Sequence, residues 1–229
     1  RLAEEQYICM EIAINEAVAA QIDGPDRKRS DALHRNAMAS FKANLAEVAD
    51  IAAGAEIPIW IAVPAVHLKF PPYVEVNHPS LDEGERKTFT DRFEAGKQAR
   101  PKNPSKARTL FKEALAIDPG HAKAHHELGM TAATLGEWKE ASTHLSLAVD
   151  LDWSGKRASS TVRNAIRELC EERAHVHCVD IYGAFLSASP HQITGAELFS
   201  DFCHPTFGRG VDLIAAEFSV HISAWAERL

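Results

Sequence analysis

The sequence predicts an α/β fold, a doubly wound layer structure in which a parallel sheet lies between helices and which carries a helical insertion. Two apolar runs, Ile57–Val63 and Val176–Ile181, lack polar alternation, as in strands that are covered on both faces. More than a hundred residues separate these runs, far more than one crossover helix needs, so the connection contains an insertion. Two strands are too few for a free-standing parallel sheet, and we therefore expect further N-terminal strands outside this sequence.

Composition, charge and hydropathy argue against nucleic-acid binding and against a membrane span in this chain. The chain has 229 residues, 45% of them hydrophobic and 25% charged, which is the balance of an ordinary globular protein. Its formal net charge of -7 argues against nucleic acid, which is bound by clustered Lys and Arg. No apolar run approaches the ~20 residues that span a bilayer, so no transmembrane segment is predicted. Because Arg1 already lies in a helix-like pattern, we expect a segment of a longer polypeptide, with any targeting signal upstream and the localisation open.

Two amphipathic helices are predicted before the first strand. The first has apolar residues at helical spacing from position 7 to position 22 and stops at Asp23-Gly24-Pro25. The second begins after Ser30 as N-cap and ends near Gly54. Its apolar stripe consists of Leu33, Ala37, Phe41, Leu45, Val48 and Ala52.

The long connection contains a 34-residue repeat, the period of tetratricopeptide repeats. Its second unit has Leu128-Gly129 where the first has only Ala95-Gly96, so we count one and a half to two repeats. So few repeats bury their apolar faces only with help from neighbours, and two interpretations remain: a structural insertion, or a lid that binds a partner or substrate. The matching positions are Ala107, Phe111, Ala114, Leu115 and Asp118-Pro119, and then Ala141, Leu145, Ala148, Val149 and Asp152-Trp153.

The C-terminal part combines a helix, a strand and a final helix. A helix is predicted from about Ala158 to Arg173, before the second apolar run. Asp201 and His204 follow in a loop, three residues apart, and a histidine held by a carboxylate can act as a general base. The last helix begins near Gly208 and carries Val211, Ile214, Phe218, Ile222 and Trp225 on one face.

The block from Asp201 to Pro205 resembles the last conserved block of the SGNH (GDSL-type) hydrolases. The order of the other segments resembles the subgroup in which tetratricopeptide repeats interrupt the hydrolase domain, and this chain is similar to its C-terminal portion. The segments that carry this resemblance are Phe41–Leu45, Glu56–Pro64, Phe70–Pro72, His78, Arg157, Asn164, Arg167–Leu169 and Val179–Asp180.

The resemblance implies a three-layer α/β/α, flavodoxin-like parallel-sheet domain that lacks its N-terminal strands. It implies hydrolase residues 1–86 and 157–229 around a tetratricopeptide-like insertion at 87–156. It also implies hydrolysis or transfer of an acyl ester, such as a carbohydrate ester, with His204 as the general base and Asp201 as its partner. The nucleophilic serine and the oxyanion donors are expected upstream, so these 229 residues alone are expected to be inactive. No metal or organic cofactor is required.

Alternatives remain for both function and site. The function alternative is a non-catalytic scaffold that binds a protein partner through the repeats, and Asp201 could instead cap a helix start. His67 and Val66 follow the carboxyl end of the first strand, where substrate-lining residues of parallel sheets lie. No metal site is predicted, since the strand residues His175 and His177 have no third ligand nearby. His125 and His126 are expected in solvent, and the four cysteines, Cys9, Cys170, Cys178 and Cys203, are expected to be reduced.

Overall fold

Helices dominate the described part of the chain. The computed structural model describes residues 31–73, 77–78 and 80–227. The helix predicted between positions 7 and 22, its stop, the Ser30 cap and Cys9 lie outside these ranges. In chain order the elements are α1 (Asp31–Gly54), β1 (Ile59–Ala62), α2 (Glu83–Ala99), α3 (Pro104–Ile117), α4 (Ala122–Thr134), α5 (Trp138–Asp150), α6 (Ser160–Glu172), β2 (Val176–Val179), α7 (Ile181–Ala188) and α8 (Arg209–Ala226).

The predicted three-layer α/β/α parallel-sheet fold is wrong: the described residues form a mostly helical protein. Both strand predictions are confirmed, and the strands pair in parallel with Ile59 opposite Val176 and Ala62 opposite Val179. Each strand has four residues, however, and no third strand joins them in the described ranges. A short two-stranded ribbon buries little apolar surface, so most of the core forms between helices instead.

The predicted repeat is confirmed as two helix pairs, α2 with α3 and α4 with α5, that pack in series. Each pair has a glycine where the two helices meet. A Cβ added at Gly96 would lie 2.6 Å from the ring of Phe111, and one added at Gly129 would lie 2.8 Å from the side chain of Leu145. Both large side chains are fully buried, so the close approach of each pair depends on glycine.

The second repeat packs on the segment that follows β1. Val66 and Leu68 share one buried cluster with side chains of α4 and α5, together with Ile193 from the loop after α7. The repeats therefore do not stand apart from the rest of the chain. The boundaries at 87 and 156 remain a prediction, although the helices of the repeat region run from Glu83 to Asp150.

Two further predictions need correction. Cys170 and Cys178 form a disulfide across α6 and β2, with their Cα atoms 5.8 Å apart, so these thiols are not reduced; Cys203 is free. The pair forms because α6 packs against β2.

In α1 the buried face is Ala49 and Ala52, whereas Val48 is 53% exposed, so the predicted stripe is too wide. None of the described helices is long and apolar enough to cross a membrane.

Candidate functional site

The loop between α7 and α8 carries Asp201 and His204, and its own backbone closes it. Ser200 N–H donates to the carbonyl of His204, and Thr206 N–H donates to the carbonyl of Leu198, each at 2.9 Å. These bonds form a small antiparallel bridge around the loop. The loop therefore has a defined shape although much of it is solvent-exposed.

The side chains of Asp201 and His204 are hydrogen bonded to each other. The Oδ2 atom of Asp201 lies 2.7 Å from Nδ1 of His204, and Oδ1 accepts the N–H groups of Cys203 at 2.9 Å and of His204 at 2.8 Å. These backbone bonds, followed by the bond to the imidazole, lower the pKa of Asp201 to about 2. An ionised carboxylate only accepts, so Nδ1 of His204 donates.

This arrangement leaves the second ring nitrogen of His204 for chemistry. The side chain is 72% exposed. In the neutral imidazole, a proton on Nδ1 leaves a lone pair on Nε2, which can take a proton from a substrate or nucleophile. The pair is thus suited to the base half of a proton-transfer apparatus.

A helix-capping role for Asp201 is not what the structure shows. Helix α8 begins at Arg209, and its N-cap is Gly208, whose φ of 84° favours glycine. The backbone N–H groups that Asp201 accepts belong to its own loop. Asp201 therefore orders the loop and His204 rather than the start of α8.

Of the two residues expected to line a substrate site, the structure brings one to this loop. His67 is 8% exposed, and its Nδ1 lies 2.8 Å from the backbone carbonyl of Asp201. A carbonyl only accepts, so Nδ1 of His67 donates, and the ring stacks on Phe199 at 5.5 Å with an interplanar angle of 5°. Burial lowers the pKa of His67 and favours its neutral form. Val66 is 2% exposed and lies in the core instead.

An aromatic cluster lies beside the exposed imidazole and contacts it through Phe202. The Phe202 ring contacts Phe70 at 6.0 Å, Tyr73 at 5.2 Å and His204 at 6.2 Å between centroids. Tyr73 is 42% exposed, and the ammonium of Lys156 lies 4.3 Å from its ring centre. His204 therefore faces solvent at the edge of an aromatic cluster whose Tyr73 ring is covered by the ammonium of Lys156. Its residues come from three separate segments, although the Phe70-Pro-Pro-Tyr73 run was an available signal in the sequence.

The donor set fits a proton-transfer pair better than a metal site. Asp201, Cys203 and His204 offer ligand atoms within 4.8 Å of one another. Both oxygens of Asp201 and Nδ1 of His204 are already hydrogen bonded, and burial and the charge of Asp201 raise the pKa of Cys203 away from the thiolate that metals prefer. The two histidines near β2 also have partners: Nε2 of His175 donates to the carbonyl of Ala49, and the His177 ring packs on Trp60.

The histidines of α4 are buried, so the expectation that they lie in solvent is wrong. His125 and His126 are each 7% exposed, and burial lowers the pKa of both. Nε2 of His126 donates to the carbonyl of Lys69 at 2.9 Å, in the segment after β1. Nδ1 of His125 lies 2.8 Å from Nδ1 of His144 on α5. Helix α5 and the segment after β1 pack over these two histidines of α4, and the local sequence does not show this cover.

Comparison with known proteins supports the repeat. A family model described as a tetratricopeptide repeat matches residues 99–152, which span α3, α4 and α5. Searches of curated proteins and of solved structures found no significant match. The chain therefore contains a tetratricopeptide repeat, and no comparison supports the resemblance to SGNH hydrolases.

Proposed function

We propose that this protein is an interaction scaffold that binds a protein partner through its tetratricopeptide helices. The observation that carries the proposal is the repeat itself, which is shown by the family match and by the two packed helix pairs. Stacked repeats present extended helical surfaces, and proteins use such surfaces to bind other polypeptides.

Helix α5 is the proposed contact helix. One side of the second repeat is covered by the chain itself, since Val66 and Leu68 pack against α4 and α5. Trp138 and Leu147 are the large apolar side chains of the described repeat helices that are exposed, at 39% and 36%, and both belong to α5. Trp138 also stacks on His191, with ring centroids 3.6 Å apart, so the partner would contact the part of the ring that is left exposed; Trp is typical of residues that anchor a protein interface.

A site-specific photocrosslinker tests the scaffold function. It replaces Lys139, which is exposed on α5, and in a matched control it replaces Asn164, which is exposed on α6. We expect one covalent adduct of defined mass from position 139, absent from position 164, and at least fivefold weaker after Leu147→Ala. Equal adducts at both positions, or none at position 139, would contradict binding through α5.

As a second function, we propose that the Asp201–His204 pair is the general base of an acyl-ester hydrolase or acyltransferase. The supporting observation is the 2.7 Å bond from Nδ1 with the exposed side chain of His204. Nε2 would take the proton of a serine hydroxyl, Asp201 would stabilise the imidazolium, and the proton would then pass to the leaving group. The serine and the oxyanion donors would come from outside this sequence, and an ester of a carbohydrate or another small molecule is the proposed substrate class.

A fluorophosphonate probe tests the second function on the full polypeptide that contains this sequence. Labelling of a serine is expected, with at least a hundredfold loss of rate after His204→Ala, because the base is removed. His221→Ala is the matched control and should label as the parent does. A folded full polypeptide without labelling, or labelling indifferent to His204→Ala, would refute this function and leave the scaffold function untouched.

A further inference from the structure

Arg157, which follows the second repeat, clamps the segment after β1. Its guanidinium is 1% exposed and forms an ion pair with Asp152, whose carboxylate is 2% exposed, at 3.1 Å. Nη1 donates to the carbonyl of His67 at 3.1 Å and to that of Phe70 at 2.8 Å. Since the N–H of Phe70 also donates to the carbonyl of His67, Arg157 holds both ends of one turn, which we call the His67 turn (His67–Phe70).

The clamp supplies geometry rather than net charge. Asp152 neutralises the guanidinium and also accepts the backbone N–H of Tyr73 at 3.2 Å, just beyond the His67 turn. The planar guanidinium of Arg157 donates to two carbonyls and one carboxylate, and a lysine ammonium cannot match that geometry. The end of the second repeat and the His67 turn are therefore fixed to each other.

The His67 turn in turn fixes the loop of Asp201. The ring of His67 is stacked on Phe199, and its Nδ1 holds the carbonyl of Asp201 at 2.8 Å. That carbonyl belongs to the same short loop whose N–H groups, of Cys203 and His204, hold the Asp201 carboxylate. The carboxylate in turn faces Nδ1 of His204 and favours a proton on that nitrogen. Because His204 is exposed, it has little packing of its own to set this geometry.

We propose that Arg157 and His67 are positioning residues that tie the end of the second repeat to the Asp201–His204 pair. The proposal rests on the second proposed function and deepens it. Without either residue, the Asp201 loop turns away from its present orientation. His204 then changes from the tautomer protonated at Nδ1 to the tautomer protonated at Nε2.

The test measures the tautomer of His204 by ¹⁵N NMR, at a pH where the spectrum itself shows the neutral ring. His67→Phe keeps a ring that stacks on Phe199 but removes the donor to Asp201. Its matched control is His175→Phe, which removes a donor to the carbonyl of Ala49, also at 2.8 Å, away from the loop. We expect His204 to be protonated mainly at Nδ1 in the parent and in His175→Phe, and mainly at Nε2 in His67→Phe.

A second pair of variants tests the arginine. Arg157→Lys keeps the charge and loses the fork, and we expect the same change of tautomer. The control is Arg163→Lys at another buried arginine, which donates to the carbonyl of Ala158 rather than to the His67 turn. If Arg157→Lys does not fold, His67→Phe decides the question.

The outcomes separate this inference from the function it rests on. An unchanged tautomer in His67→Phe, with the parent protonated at Nδ1, overturns the positioning role while the general-base function stands. A parent protonated mainly at Nε2 refutes the general-base geometry itself, and the positioning role falls with it.

Discussion

Replacing Gly129 by alanine tests whether the close approach of α4 and α5 limits the stability of the second repeat. Two opposing effects decide the sign of the change. Alanine is favoured over glycine inside a helix by about 0.8–1.0 kcal/mol. Against this, the new Cβ would lie 2.8 Å from Cγ of Leu145, 3.0 Å from its Cδ2 and 3.1 Å from the carbonyl of Ala141.

The packing effect should win. Leu145 is fully buried, so it cannot swing out of the way, and overpacking of this kind costs about 1–3 kcal/mol. After the gain in helix propensity, Gly129→Ala should lower the free energy of unfolding by up to about 2 kcal/mol. In a Leu145→Ala background, which itself loses about 2–5 kcal/mol, the clash with Leu145 is removed and only the approach to the carbonyl of Ala141 at 3.1 Å is left, so the same change should cost clearly less than in the parent.

Urea unfolding followed by circular dichroism measures both effects. Gly54→Ala is the control, because nothing lies within 4 Å of its added Cβ, and it should leave the midpoint unchanged or slightly raise it. A stabilised Gly129→Ala in the parent background would refute the reasoning, as would an equal loss in both backgrounds. Either result would mean that contact with Leu145 does not set the spacing of the helix pair.

Two further predictions concern the buried Asp152–Arg157 ion pair and the protonation of buried histidines. Asp152→Asn should lower the free energy of unfolding by about 3–5 kcal/mol, because it leaves the Arg157 charge buried without its partner. Asp91→Asn, which breaks an exposed pair with Lys87, should lose less than about 1 kcal/mol in the same urea assay. Acidification from pH ~7.5 to ~5.5 should lower the melting temperature, since burial lowers the pKa of several histidines and the unfolded chain then binds more protons. The stabilisation from these neutral histidines is fully present above the unfolded pKa near ~6.5, and it is lost as the pH falls through that value towards the folded pKa. His125→Gln should therefore make the melting temperature depend less on pH. The histidines concerned are His67, His125, His126 and His144.

Most elements could be predicted from the sequence because they depend on local pattern: the 34-residue spacing and the apolar runs identify the repeat helices, β1, β2 and α8. Helix α7 is not predicted by these patterns, since Ile181, its first residue, continues the apolar run of β2. The layer structure could not be predicted in the same way, because a continuous apolar run indicates that a strand is covered and not what covers it. All four residues of β1 are only half-buried in the described part of the chain, and the strands meet helices rather than a wider sheet. The Cys170–Cys178 disulfide likewise depends on how α6 docks on β2.

In the candidate site, too, the local pairing could be predicted from the sequence and the long-range contacts could not. Asp201 and His204 lie three residues apart, so their pairing is local and visible in the sequence. The bond from His67 to Asp201 joins residues 134 positions apart, and the bonds from Arg157 to the His67 turn span 87 and 90 positions. Such contacts follow from how the repeat packs on the segment after β1. The place of His67 after a strand predicts that it lies near the site, but only the fold shows that it bonds a backbone carbonyl.

The two proposed functions meet at the end of α5. An exposed loop cannot hold a side-chain pair by packing alone, because its own atoms are largely in water and each bond there is worth little. The rigid neighbours of the Asp201 loop are the stacked His67 ring and, behind it, Arg157 with Asp152, two residues after α5 ends. A partner bound to α5 would therefore contact the helix that leads to Asp152 and Arg157, the residues that hold the His67 turn beside the Asp201–His204 pair. In this arrangement the repeat supplies the buried interactions that the exposed loop lacks, so loosening α5 should loosen the geometry of His204 as well.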